Sequence, residues 1–65
     1  MNFMLDALVQ KLEGEVAIAK ANILVYVRSS TGIGEHPEVV EAIETQVTKI
    51  AEAQDKINTI KDLKL

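Results

Sequence analysis

The sequence has no cysteine and no tryptophan, and only one histidine, one tyrosine, one phenylalanine and one proline among its 65 residues. Without thiols there can be no disulfide, no thiolate nucleophile and no thiolate-ligated metal. A single imidazole leaves general acid–base chemistry to carboxylates, and no spacing in the chain marks a buried acidic pair. The expectation is a protein that is not an enzyme and carries no cofactor and no metal. Positive charge is also scarce, with seven Lys+Arg against ten Asp+Glu and a net charge of −3. The cations Lys11, Lys20, Arg28, Lys49, Lys56, Lys61 and Lys64 form no run, and the densest group is interleaved with Asp55 and Asp62. This is the wrong balance for clamping nucleic acid or an anionic membrane. The most apolar stretch, residues 16–27, is interrupted by Lys20 and Asn22, and at twelve residues it falls short of the roughly twenty that span a bilayer. The first twelve residues lack a basic segment and place Asp6 inside the would-be apolar one, so the chain is not expected to be secreted.

What is present is apolar surface, 48% of the residues, arranged in two periodic segments around one cluster of helix breakers at residues 29–37. In the first segment Leu5, Leu8, Leu12, Val16, Ala19, Ile23 and Tyr26 recur in steps of three and four and fall on one stripe of a helix. Asn2 is placed to cap it, and Gly14 costs about 1 kcal/mol of helix propensity in its interior. Ile23-Leu24-Val25-Tyr26-Val27 alone would read as a strand, and is assigned to the helix because the upstream period runs through it. Tyr26 reads as an amphipathic residue at the edge of the core.

The second segment opens at Pro37, whose missing N–H suits the first helical position, with His36 as N-cap and Glu38 and Glu41 complementing the dipole. Val40, Ile43, Val47, Ile50, Ile57 and Ile60 repeat on one face, which is weakest at Ala53 and Gln54. The other face is polar and offers a Glu52–Lys56 pair. Gly32 in a left-handed conformation, Ile33 packing back on Val27 and Arg28 near the last carbonyls would end the first helix, and Gly34 would let the chain reverse. The expected fold is all-α, a single-domain antiparallel two-helix hairpin over 1–65, with helices near 2–30 and 37–62 and a turn at 31–36.

One seam cannot cover the first helix. Beside its main stripe it carries Ile18, Ala21 and Val25, with Ala17 and Leu24 adjoining, so it is apolar nearly all round, and such a helix is normally buried. The expectation is a homo-oligomer, most simply a dimer forming a four-helix bundle, with those five residues in the interface. Alanines at 17, 21, 42 and 51 would permit close approach and also favour helix.

Gly32-Ile33-Gly34 ahead of a helix resembles a phosphate loop only superficially. No strand precedes it, no lysine follows, and Glu35 and Glu38 would repel an anion, so turn chemistry is the better reading. His36 beside Glu35 and Glu38 lacks the Glu-x-x-His helical spacing of carboxylate-bundle metal sites and reads as a structural cap. The run of residues 32–38, followed by Glu41-Ala42-Ile43 and Ala51-Glu52-Ala53-Gln54-Asp55-Lys56, resembles short helical-hairpin proteins of unassigned activity encoded by large tailed bacteriophages, including phages of marine cyanobacteria. The likeness covers about residues 12–60. It implies a phage origin and a place in the virion or the cytoplasm of a bacterial host, and it carries over no functional residue. The functional expectation is a non-enzymatic interaction or assembly protein working through helix–helix contacts with itself and a protein partner. The alternative is an oligomer sequestering a small signalling nucleotide at a subunit junction, for which Arg28, His36 and Lys20 are the available ligands.

Overall fold

In a computed structural model, which describes residues 2–28 and 38–63, the chain is two α-helices, α1 (Phe3–Arg28) and α2 (Val39–Leu63), packed along their length. They run antiparallel, since Leu12 meets Ile57 and Ile60 while Asn22 meets Gln46. The result is a rod measuring 49 × 14 × 11 Å. The expected hairpin architecture is observed. The turn at 31–36, with the Gly32, Ile33 and Gly34 conformations and the Pro37 and His36 roles, lies outside the described residues.

Local chemistry accounts for the helix ends. Asn2 caps α1: its side-chain oxygen accepts from the Leu5 N–H at 2.9 Å and its carbonyl from the Asp6 N–H at 3.0 Å. Asp6 in the first turn and Arg28 in the last complement the helix dipole. Residues 23–27 are helical despite their branched side chains, because tertiary packing along the seam outweighs a propensity difference of a few tenths of a kcal/mol per residue. At the start of α2 the Glu38 carbonyl accepts from the Ala42 N–H at 2.8 Å. Thr45 and Thr59 turn their hydroxyls back onto the carbonyls of Glu41 and Asp55, which satisfies them on the solvent side without a tertiary partner.

The seam corrects the sequence reading in detail. On α1 the inward positions are Leu5, Val9, Leu12, Val16, Ala19, Ile23 and Tyr26, so Val9 replaces Leu8, which is exposed. On α2 they are Val39, Ile43, Gln46, Ile50, Ala53, Ile57 and Ile60. Val40 is 75% exposed and Val47 is also exposed. Both sets step by four and three without a break, the heptad signature of two helices wound about each other. The expected stripe slipped by one residue at Val47, where it followed side-chain hydrophobicity past Gln46, and at Val40, where two adjacent valines are equally apolar. Ala53, expected to be a weak point, is part of the buried cluster with Leu12, Ile57 and Ile60, against which Leu5, Val9 and Val16 pack. A small side chain there lets the helices approach, so Leu12 can fill the space between them.

Gln46 is the buried polar residue of the seam, and it is paired: the Asn22 amide donates to its carbonyl oxygen across the helices at 3.2 Å. A seam polar pair of this kind penalises a slipped register, because slippage would leave an amide unsatisfied. Asn22→Ala is therefore expected to cost about 1–2 kcal/mol, more than an ordinary part-exposed position, as read by urea denaturation. A loss below about 0.5 kcal/mol would remove the pair from the seam's energetics.

The described residues contain one side-chain ion pair, Lys11–Glu15, and not the expected Glu52–Lys56. Lys11 stands N-terminal to Glu15, the less favoured orientation on a helix. Lys56 lines the same groove as Glu15, on the other side of the seam. The Lys11 hydrogen bond, with the fields of Lys11 and Lys56, holds the Glu15 carboxyl below its ordinary value against an opposing desolvation effect. A lowered carboxylate pKa contributes stability above the ordinary carboxylate range and loses it as pH falls. Glu15 is exposed, so this contribution is largely screened.

Gly14 has open space where a Cβ would stand, with nothing within 4 Å. Its backbone is helical, so Gly14→Ala in dilute protein is expected to raise stability by about 0.5–1 kcal/mol, measured as a higher melting temperature. A fall would show that this position is constrained by something other than helix propensity.

Candidate interaction surface

At about 100° per residue, Ala17, Ile18, Ala21, Leu24 and Val25 fall within an arc of about 120° centred on Ala21 and turned away from α2. All five are exposed, Ile18 to 64% and Val25 to 60%. Gly14 and Arg28 lie in the same arc, one turn-pair before and one after Ala21, and both are exposed. The structure thus brings the expected interface residues together as one contiguous back surface on α1. They are uncharged from Ala17 to Val25, since Lys20 falls on the flank.

The back of α2 differs in kind. Glu41, Glu44, Thr48, Asp55, Asn58 and Asp62 occupy it, all exposed. One helix therefore turns a wetted face to solvent and the other an apolar one. Exposed large apolar side chains lie in both halves of the rod, with Phe3, Met4, Leu8 and Leu63 toward the chain ends. Ile18, Leu24, Val25, Val27, Val40 and Val47 lie in the half opposite to the buried cluster around Leu12. The sequence reading missed the exposure of Val40 and Val47. The uninterrupted four-three spacing through Gln46 and Ala53 was the signal that could have found it.

Two open grooves flank the seam. One, of about 470 Å³, is lined by Glu13, Val16, Gln54, Ile57, Asn58 and Lys61. The other, of about 300 Å³, includes Glu15, Ile18, Asn22, Lys49, Glu52 and Lys56, so its two ammonium groups face two carboxylates. Neither groove includes Lys20 or Arg28, which are exposed on different sides of α1, and His36 lies outside the described residues. Among the described residues no three of His, Cys, Asp and Glu are placed to hold a metal ion, and no helix is long and apolar enough to cross a membrane.

The chain matches no protein-family model, and no curated protein and no solved structure is significantly similar to it.

Proposed function

We propose that the chain is a non-enzymatic interaction or assembly protein of phage origin, acting through helix–helix contacts with a second copy of itself and with a protein partner. The observation that carries this reading is the exposed apolar back of α1 beside the polar back of α2. A helix that presents an uncharged face of this kind to water is suited to bury it against another helix. The acidic balance of the chain argues against a nucleic-acid partner. The places that suit such a protein are the virion or the cytoplasm of an infected bacterium.

Two measurements test the reading together. Sedimentation of the purified protein from micromolar to millimolar concentration is expected to show a mass rising above the 7.1 kDa protomer. Recovery from host lysate or purified virions, followed by mass spectrometry, is expected to yield a stoichiometric protein and no nucleotide. A protomer that stays monomeric throughout would overturn the self-contact. A stoichiometric nucleotide that is lost in Arg28→Ala would replace the reading with sequestration.

A further inference from the structure

Resting on the self-association just proposed, we infer that the second copy docks antiparallel, α1 against α1, about a two-fold axis passing at Ala21. The apolar positions on the back of α1 are evenly spaced about that residue. Ala17 stands four residues before Ala21 and Ile18 three before, while Leu24 stands three after and Val25 four after. In an isologous antiparallel pair each residue meets the one on the same flank of the stripe at nearly the same distance from the axis, so small Ala17, four residues before it, faces Leu24, three after, and Ile18, three before, faces Val25, four after, twice over. Large opposes small on one side of the axis and two branched side chains meet on the other, while Ala21 meets its own copy at the point of closest approach. All these residues are exposed in the protomer, so none has to leave an existing core.

Charge gives the same register independently. Seven residues from the axis stand Gly14 on one side and Arg28 on the other. The pairing lays the guanidinium of each copy over Gly14 of the other, beside the carboxylate of Glu13. Gly14 has open space above it, so a long side chain can lie there. Among the described residues Glu13 and Arg28 make no ion pair within the protomer. The open glycine, costly in a helix and unexplained by the hairpin itself, becomes the seat for that arginine. With α2 on the outer side of each α1, the four helices form a flat layer whose polar backs face water.

The matched stretch, residues 14–28, is about 22 Å of helix, a small contact, so the pair belongs to the weak, concentration-dependent class of interface. The absence of cysteine makes the geometry directly testable. Ala21→Cys would bring two sulfurs together at the axis, within the Cα separation a disulfide needs, while Ala7→Cys, on the same back surface two heptads away, would not. Under mild oxidation at concentrations where sedimentation detects association, Ala21→Cys is expected to cross-link at least about tenfold faster than Ala7→Cys. Arg28→Glu is expected to weaken association about tenfold, and adding Glu13→Lys to recover most of that loss. Association with equal cross-linking at both cysteines, or with no response to the charge exchange, would overturn this two-fold register while leaving self-association intact. A protein monomeric at every concentration would overturn both.

Discussion

Leu12→Ala is expected to cost about 3 kcal/mol, between about a third and nearly all of the total stability if that follows the roughly 0.05–0.15 kcal/mol per residue of small domains. Leu12 is 2% exposed and is the one large side chain fully enclosed among the described residues. It reaches across the seam to Ala53, Ile57 and Ile60, with Leu5, Val9 and Val16 closing the cluster around it. Truncation would remove about three methylene-sized groups and leave a cavity that two helices meeting at an alanine cannot collapse to fill, because α2 has no larger side chain at 53 to shift inward. Urea denaturation followed by far-UV circular dichroism measures the effect. Leu8→Ala is the control: Leu8 is exposed and should lose less than about 1 kcal/mol. Equal losses at the two positions would restore Leu8 to the seam and remove Val9 from it.

That comparison separates what the sequence revealed from what it concealed. The helices and their antiparallel pairing were legible because steps of three and four extend over many turns on either side of one cluster of glycines and proline. Asn2 was legible as a cap because an amide oxygen just ahead of a periodic segment has few other uses. The seam of α2 was not, because a heptad position can be held by Gln46 when a partner such as Asn22 reaches it from the flank, and hydrophobicity alone gives no warning of that partner. Ala53 was misread for a related reason: its contribution to packing is its smallness, which depends on Leu12 opposite. The back of α1 was legible as an excess, since two helices with one seam can bury only one stripe each, and Ile18, Leu24 and Val25 remained.

Ile18→Glu is expected to abolish self-association, raising the dissociation constant at least about a hundredfold, while leaving the hairpin's own stability within about 0.5 kcal/mol. The two effects separate because Ile18 is 64% exposed in the protomer, where a glutamate would stay solvated on a surface already carrying Glu15. On association the same carboxylate would be pressed against an apolar side chain of the other copy. It would lose its hydration with no cation at the matching position, and two-fold symmetry would impose that penalty twice. Val25→Glu should behave in the same way, since the pairing matches residue 18 with residue 25. Thermal melting of the dilute variants gives the protomer's stability, and sedimentation at high concentration gives the association. A variant that melts normally and stays monomeric locates the contact on the back of α1. One that associates as the parent does would exclude this face, and one that melts far lower would show that Ile18 contributes to the hairpin's own fold.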